Sequence, residues 1–259
     1  MTVDLSMKKC RIRVFRSLAI AAAGVVLAGC AGAPSPTASS SESSSDHFPV
    51  DIASCGHTST VNALPERAVT LNQGATEVML ALGLEDQMAG TAYLDDEIAE
   101  KWRSAYESVP VLADEYPSHE KLLATSPDFI YASYSSAFER KVAGTQGDLD
   151  SMKVSSYLSP FGCADEGRRP APSFEAIWDE VDSIAAAFDV SDRAAELKEE
   201  QQKTLGSVSE AGKGLDVLWY DSGTKTPTVG AGDGAPQLVL DSIGATNIFA
   251  EKNGGWADG

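Results

Sequence analysis

The sequence predicts an α/β fold with a mainly parallel sheet, and two observations carry this prediction. From residue 68 onward, short apolar runs alternate with helical patterns, which is typical of parallel strands joined by crossover helices. Residues 65–84 show this best, with a brief strand, a polar bend at Asn72-Gln73-Gly74 and a helix that ends at Gly83. In an open parallel sheet such a bend lies at the carboxyl edge, where ligands bind. An ordinary strand-helix unit without a ligand is the alternative.

The N-terminus predicts export. Five Lys or Arg residues precede the apolar run at residues 18–27, which is too short to span a bilayer as a stable helix and is typical of a signal peptide. The residues Leu27-Ala28-Gly29-Cys30 resemble the lipobox of bacterial lipoproteins, so we expect cleavage of residues 1–29 and lipidation of Cys30. A signal peptide that merely ends beside a cysteine is the alternative.

Residues 30–45 are rich in Ser, Pro and Ala and predict a flexible tether. Acyl chains on a cysteine hold a protein at a membrane surface without a spanning helix. We therefore expect the mature chain on the extracytoplasmic face of the cell membrane, attached through its lipid anchor only.

The acidic composition excludes two classes of partner. The formal net charge is −18, and removal of residues 1–29, with five Lys or Arg and one Asp, leaves −22. Such a body repels nucleic acid and anionic lipid surfaces, so we expect neither as a direct partner. A highly anionic small ligand is disfavoured for the same reason.

Two of the four cysteines are predicted to form a disulfide. Cys10 lies in the leader and Cys30 is the lipidation candidate, which leaves Cys55 and Cys163. Disulfides persist in exported proteins, so we predict that this pair is bridged. Two separate free thiols are the alternative.

The elements of the folded body follow in order. A hairpin-like or irregular lead-in at residues 46–64 precedes predicted strands at residues 68–71, 87–92, 128–132 and 154–158, with a further short apolar run at residues 109–112. Ser118 is the predicted N-cap of a short helix that ends before Pro127. Residues 173–188 predict an amphipathic helix, and residues 191–210 predict a solvent-lying helix of about 30 Å. This last helix either joins two lobes or lies at the periphery of a single domain.

The remainder of the chain repeats the pattern. Residues 215–220 predict a strand, and residues 237–243 predict a helix that stops at Gly244. Between them, the glycines at positions 230, 232 and 234 do not fit the dinucleotide fingerprint, so we interpret them as a backbone bend beside a cleft.

Several motifs of this chain resemble one family, the lipid-anchored substrate-binding proteins of ABC importers for ferric siderophores and cobalamin. The motifs are Pro65-Glu66-Arg67, Gly74-Ala75-Thr76-Glu77 with Leu82-Gly83-Leu84, Ser118-His119-Glu120 with Ser126-Pro127-Asp128, and residues 240–249 with Trp256. Together they cover about residues 65–256. Actinobacterial members are the most similar, notably in the cysteine just after the last strand of the first lobe.

The resemblance implies two Rossmann-like α/β lobes joined by one long helix, with a ligand in the cleft between them. We also expect a monomer without a cofactor. The implied boundaries are residues 46–172 for the N-terminal lobe, 173–213 for the amphipathic and connecting helices, and 214–259 for the C-terminal lobe. Members of the family continue beyond the position of Trp256, with a second docking glutamate. We therefore expect the second lobe of this chain to be incomplete.

The resemblance also implies which residues line the cleft, at the carboxyl ends of strands. They are Asn72, Gln73, Tyr93, Ser133 and Tyr134 on the first lobe, and Tyr220, Asp221 and Trp256 on the second. Aromatic faces with polar tips suit a bulky chelate or macrocycle, although core packing is the alternative for each aromatic residue. Glu120 resembles the lobe-tip glutamate that docks on an arginine pocket of the ABC permease; a solvated helix glutamate is the alternative.

We therefore expect a binding protein that captures a ferric siderophore or cobalamin and delivers it to an ABC importer. Few Lys or Arg residues lie near the implied cleft loops, which favours a neutral or cationic hydroxamate-type siderophore, or cobalamin, over a triply anionic catecholate chelate. A zinc or manganese receptor is one alternative, but the chain has only His47, His57 and His119. A surface lipoprotein that binds a macromolecule is another. We expect no enzyme, because the sequence has no G-x-S-x-G elbow, P-loop or HExxH motif.

Overall fold

The structure is a computed structural model that describes residues 47–259. The predicted leader, Cys30 and the tether fall in residues 1–46, which lie outside the described residues. The described chain opens with an antiparallel hairpin, β1 (Val50–Ser54) and β2 (His57–Val61), as the sequence predicts for the lead-in. Cys55 and Gly56 form its turn, with φ angles of 52° and 82°.

A five-stranded sheet forms the centre of the fold, in the order β5-β4-β3-β6-β7. Its strands are β3 (Ala68–Leu71), β4 (Met88–Ala92), β5 (Val111–Ala113), β6 (Phe129–Ala132) and β7 (Ser155–Leu158). All neighbouring strands are parallel. β3 and β6 are buried along their whole length, as expected for a parallel sheet that is covered on both faces.

Two hydrophobic cores lie on the two faces of this sheet. Alternate residues of the central strands point to opposite faces, so that Ala68 and Phe129 belong to one core and Val69 and Ile130 to the other. The hairpin covers the outer edge of β7, where the Ser156 N–H donates to Ser59 Oγ at 2.9 Å. This contact protects an edge that would otherwise expose backbone groups.

Four short helices accompany the sheet: α1 (Gln73–Ala81), α2 (Arg103–Ser108), α3 (His119–Leu123) and α4 (Gln146–Ser151). α1 ends before Gly83, which has a φ of 64°, as the glycine signal predicts. The sequence analysis did not identify α4, although its first turn carries a local capping signal. Its start is marked by a capping box of Thr145 and Asp148.

Two longer helices follow, α5 (Phe174–Ala187) and α6 (Ser191–Val208). Trp178 on α5 donates to Gln201 on α6 at 2.7 Å, and Arg193 on α6 donates to the Leu82 and Gly83 carbonyls at 2.8 Å each. Ala194 is the buried residue of α6, in agreement with the predicted solvent-lying helix. Between residues 47 and 259, no helix is both long and apolar enough to cross a membrane.

A second, smaller region completes the described chain. Its elements are β8 (Asp216–Val217), β9 (Tyr220–Ser222), β10 (Thr228–Gly230), α7 (Ala235–Ser242), β11 (Thr246–Asn247) and β12 (Trp256–Asp258). β8 and β11 pair in parallel, whereas β12, β10 and β9 form an antiparallel sheet in that order.

The prediction of a single strand at residues 215–220 is wrong, because this run is divided between β8 and β9. The backbone changes partners within it: the Leu215 carbonyl accepts from Thr246, whereas the Trp219 carbonyl accepts from Gly230. The apolar run therefore contributes to two different sheets. Such a change of partner depends on long-range pairing and has no local signal in the sequence.

Candidate functional site

Two neighbouring strands end on strained residues. Asn72 follows β3 with φ 77° and ψ 158°, and Tyr93 follows β4 with φ 61°. The conformation of Asn72 lies in a region of backbone space that glycine occupies almost alone. Strained non-glycine residues cluster at functional sites, and these two occupy the carboxyl edge of the sheet, where open α/β sheets bind ligands.

Asn72 is held from several directions. It is only 2% exposed, its N–H donates to the Ala92 carbonyl at 2.9 Å, and its own carbonyl accepts from the Thr76 N–H at 3.2 Å. Its side-chain Oδ1 accepts from the Tyr116 hydroxyl at 3.1 Å. Asn72 therefore lies beneath Tyr116 and its amide is already hydrogen-bonded.

Tyr116 is a residue of this edge that the sequence analysis missed. Its ring packs edge-on against Tyr93, with 4.6 Å between the ring centroids and 77° between the planes. Its hydroxyl lies 3.0 Å from Ser136 Oγ, in addition to its contact with Asn72. Its position after the short strand β5 and the acidic pair Asp114-Glu115 is the signal that could have identified it.

Ser133 joins the end of β6 to the start of α1. Its Oγ accepts from the Ala75 N–H at 3.0 Å, whereas the N-cap residue of α1, Asn72, makes no side-chain capping bond. Gly74 permits this approach, because a Cβ there would lie 3.1 Å from Ser133 Oγ. The side chain of Ser133 is thus used as a helix cap.

Tyr134 is the most exposed of the five predicted residues on this edge, at 53%. Burial of part of the ring raises the pKa of its phenol, and the charges of Asp95 and Tyr116 raise the pKa further. The phenol therefore stays protonated at neutral pH. Its half-exposed ring and hydroxyl are available for contact with a ligand.

Gln73 orders the acidic loop after β4. Its Oε1 accepts from the Asp96 N–H at 2.8 Å, and its Nε2 donates to Glu77 Oε1 at 3.1 Å. In the same loop, Glu97 lies 3.4 Å from Arg103. Gln73 therefore supports this loop through its hydrogen bond to Asp96.

The three predicted residues of the second region share one sheet. Tyr220 lies on β9 and is 56% exposed, and its hydroxyl donates to the Gly223 carbonyl at 2.7 Å. Asp221 accepts from the Ser222 hydroxyl at 2.9 Å. Trp256 lies on β12, opposite Gly230, and is 46% exposed. Within residues 47–259, no hydrogen bond or aromatic contact joins these three to the five residues of the first edge.

A cavity of about 570 Å³ lies between the two regions. It is bordered by residues 169–172 and Glu166 on one side and by Asp233, Gly234 and the side chains of α7 on the other. None of the eight predicted ligand residues lines it. Arg169, which sequence reasoning did not select, reaches it and lies 3.3 Å from Glu166. The lining of this cavity therefore carries one arginine together with the acidic residues Glu166, Asp233 and Asp241.

Glu120 lies on the exposed side of α3. The helix starts at Ser118, whose Oγ accepts from the Lys121 N–H at 3.3 Å, and is anchored by the buried Leu122. The predicted N-cap is thus present. The carboxylate of Glu120 faces solvent, where a partner could reach it.

Cys55 and Cys163 are joined in a disulfide, with 5.3 Å between their Cα atoms. The bond connects the hairpin turn to the segment after β7. Within the described residues, no three His, Cys, Asp or Glu side chains are grouped so that they could hold a metal ion.

Comparisons with known proteins give the family. A model of the periplasmic binding protein family matches residues 69–258. An uncharacterized ABC transporter substrate-binding lipoprotein of Bacillus subtilis, YvrC, is 26% identical over 208 residues, which are 80% of this chain and 60% of the relative. The chain thus spans about 60% of the length of this curated relative.

Two solved structures have a similar fold. A periplasmic binding protein from Veillonella parvula aligns with a TM-score of 0.68 and 28% identity, over 81% of this chain and 71% of that one. An ABC-type Fe3+-hydroxamate transport system from Saccharomonospora viridis aligns with a TM-score of 0.63 and 22% identity, over 82% and 74%. The predicted fold class and the predicted resemblance are confirmed: the chain belongs to the periplasmic binding protein family.

Proposed function

We propose that this chain is an extracytoplasmic solute-binding lipoprotein that captures a ferric siderophore or cobalamin and delivers it to an ABC importer. Its family consists of transport receptors, and its Bacillus subtilis relative is named as a lipoprotein of an ABC transporter. The predicted lipidation of Cys30 and the predicted tether agree with that relative. The proposal includes the lobe boundaries at residues 46–172, 173–213 and 214–259.

The observation that carries the proposal is the convergence of polar and aromatic side chains at one sheet edge. Asn72, Tyr93, Tyr116 and Ser133 follow four different strands and are linked by hydrogen bonds or ring contacts. Gly74 and the strained backbone at Asn72 make this close arrangement possible. Because these contacts already order the edge, it loses less conformational entropy when a ligand binds.

The chemistry of this edge favours a large ligand with both apolar and polar surface. Tyr93 and Tyr134 offer aromatic area together with hydroxyl groups. Across the cleft, we propose Tyr220, Asp221 and Trp256 as the opposing wall. They present two exposed aromatic side chains and one carboxylate on a single sheet.

Charge narrows the ligand class. The loops after β4 and β5 carry five carboxylates: Asp95, Asp96, Glu97, Asp114 and Glu115. Arg169 lies at the separate cavity of about 570 Å³, where its charge is paired with Glu166. These carboxylates would repel a triply anionic ferric catecholate. We propose a neutral or cationic ferric hydroxamate, or cobalamin, and the Fe3+-hydroxamate system of Saccharomonospora viridis provides a structural parallel.

Tryptophan fluorescence titration of the 259-residue chain tests the proposal. Three ferric trihydroxamates with the same linear backbone form a charge series: one with a free terminal amine, one acetylated and one succinylated. Cobalamin and a ferric tris-catecholate complete the set. We expect saturable quenching by the first two trihydroxamates or by cobalamin, and weaker binding as the charge becomes negative. Tight binding of the catecholate alone would overturn the ligand class, and binding of none of the five would overturn the receptor function.

We propose Glu120 as a docking residue for the permease. It lies at the exposed surface of a short helix whose position is fixed by Ser118 and Leu122. A single charge at such a position would contribute to the register of the complex more than to its affinity.

A further inference from the structure

A short segment, residues 159–163, lies directly behind the proposed ligand edge. It follows β7, and the Ser159 N–H donates to the Ala132 carbonyl at 2.9 Å. The Gly162 N–H donates to the Ser159 carbonyl at 2.9 Å, which closes a tight turn. We call residues 159–163 the supporting segment.

The supporting segment touches the backbone of the ligand edge through Gly162. A Cβ at Gly162 would lie 1.9 Å from the Ser133 carbonyl oxygen and 3.0 Å from Tyr134 Cα. The two backbones are therefore packed as closely as a glycine allows. Any displacement of the segment changes the support of Ser133, whose Oγ caps α1 at Ala75.

Glu180 holds the start of the supporting segment. It lies on α5 and is 8% exposed, and its carboxylate accepts from the Ser159 hydroxyl at 3.0 Å and from the Tyr131 hydroxyl. Both partners lie at the sheet, so the carboxylate links α5 to β6 and to the end of β7. Buried carboxylates are tolerated where such hydrogen bonds satisfy them.

The disulfide holds the other end. Cys163 is almost completely buried and is bonded to Cys55 in the hairpin turn. Two arginines add hydrogen bonds: Arg169 Nε donates to the Cys163 carbonyl at 2.8 Å, and Arg168 Nη1 donates to the Cys55 carbonyl at 3.3 Å. The supporting segment is thus fixed to two elements that do not belong to the ligand edge, α5 and the hairpin.

We infer that Glu180 and the Cys55–Cys163 disulfide are positioning groups for the proposed ligand site, acting through Gly162 and Ser133. The inference rests on the proposed function. Neither group touches the ligand; both restrict the backbone from Ser133 to Tyr134. Without them the unliganded edge samples more conformations, and the cost of ordering it is added to binding.

The experiment compares variants of the 259-residue chain in two readouts. The first is the dissociation constant for the acetylated ferric trihydroxamate, and the second is the hydrogen exchange rate of the Ala75 amide, which reports on the Ser133 cap. We expect the double variant Cys55→Ser, Cys163→Ser to bind about tenfold more weakly and its Ala75 amide to exchange faster. Glu180→Ala should change both readouts in the same direction.

Two further variants separate positioning from general loss of stability. Glu180→Gln keeps an acceptor oxygen for one of the two hydroxyls, and its NH2 group can donate to the other hydroxyl oxygen, so it should retain both readouts. Val109→Ala removes buried apolar volume beside β5, at the opposite edge of the sheet, and should lower stability while it leaves both readouts unchanged. Should the double serine variant not fold, Glu180→Ala tests the same support with the disulfide intact.

The outcomes are distinguishable. Unchanged affinity and unchanged Ala75 exchange in the double serine variant and in Glu180→Ala would overturn the inference. So would equal changes in Val109→Ala, since they would show an effect of stability alone. If the unaltered chain binds none of the five probes, the proposed function fails and the positioning of a ligand site fails with it. Faster Ala75 exchange would then report only a structural support of Ser133.

Discussion

Ser133 Oγ lies 3.0 Å from the backbone nitrogen of Ala75, so helix α1 is capped from the end of a neighbouring strand. The first turn of any helix has N–H groups that need an acceptor. Asn72 occupies the N-cap position but does not supply one, because its side chain is bonded to Tyr116. Ser133 therefore links the end of β6 to the first turn of α1, in addition to the backbone pairing of β3 with β6.

Replacement of Ser133 by Ala tests this cap. The substitution removes the acceptor for the Ala75 N–H, and we expect it to lower the free energy of unfolding by about 1 kcal/mol. Urea denaturation measures the change. Ser135→Ala is the matched control, since no hydrogen bond involves its hydroxyl within residues 47–259. Equal midpoints for Ser133→Ala and the unaltered chain would contradict the capping role.

The backbone strain at Asn72 predicts an unusual order of stabilities. Asn72→Ala loses the bond to Tyr116 and keeps the strained φ of 77°, so we expect a loss of about 2 kcal/mol. Asn72→Gly loses the same bond but relieves strain of about 1 kcal/mol or more. The glycine variant should therefore be the more stable of the two in urea denaturation.

Asn62 provides the matched comparison for that order. It is exposed and lies outside the set of residues with positive φ. The Asn62→Gly variant should be less stable than the Asn62→Ala variant by about 0.5 to 1 kcal/mol, because glycine loses more conformational freedom on folding. The same order of alanine and glycine at both positions would show that Asn72 is not strained.

Tyr116 combines a ring contact with two hydrogen bonds, and two substitutions separate them. Tyr116→Phe keeps the contact with Tyr93 and leaves Asn72 and Ser136 without their partner, at a cost of about 1 kcal/mol. Tyr116→Ala also removes the ring contact with Tyr93. This should lower the free energy of unfolding by about 1 kcal/mol more than the loss of buried apolar area alone. Thermal or urea unfolding measures both, and Tyr106→Phe serves as the control. A Tyr116→Phe variant as stable as the unaltered chain would show that the hydroxyl bonds are weak.

Local patterns in the sequence predict the parallel sheet well. The strands β3 and β6 are short apolar runs with turn residues on both sides, and the stop of α1 at Gly83 is a purely local signal. The family resemblance, and not a local pattern, implied Asn72, Tyr93 and Ser133, which the structure places at one edge of this sheet. Periodicity and turn chemistry suffice wherever the neighbours along the chain determine the conformation.

What the sequence does not predict depends on contacts between distant residues. The cap of α1 by Ser133 joins positions 58 residues apart, and the bond of Tyr116 to Asn72 spans 44. The change of sheet between β8 and β9 is determined by Thr246 and Gly230, which come later in the chain. The helix α4 was also missed, although its capping box is a local signal of the same kind as the N-cap that identified α3.

Charge reversal at Glu120 tests permease docking. Glu120→Lys changes an exposed side chain, so we expect stability and ligand affinity to stay within about 0.5 kcal/mol of the unaltered chain. Uptake of the ferric ligand by cells that carry the partner permease should fall strongly, because a like charge would then face the arginine pocket. Glu107→Lys makes the same change on α2 and should leave uptake intact. Normal uptake with Glu120→Lys would remove the docking role.

The buried carboxyl of Glu180 predicts a dependence of stability on pH. Burial raises the pKa of Glu180 above its ordinary value, although hydrogen bonds from Tyr131 and Ser159 oppose this shift. The folded chain therefore keeps the proton to a higher pH than the unfolded chain does. Consequently the contribution of Glu180 to the free energy of unfolding is greatest below the unfolded pKa and declines as the pH rises through the folded pKa.

Glu180→Gln should abolish that decline, because the amide does not titrate and still accepts a hydrogen bond. Urea unfolding of both proteins between about pH 4 and about pH 8 measures the difference. Glu175→Gln, an exposed change on the same helix, should leave the slope unaltered. Parallel stability curves for Glu180→Gln and the unaltered chain would mean that the carboxyl titrates equally in both states. The hydrogen bonds from Tyr131 and Ser159 would then fully offset its burial, and Glu180 would support residues 159–163 in its charged form at no net electrostatic cost.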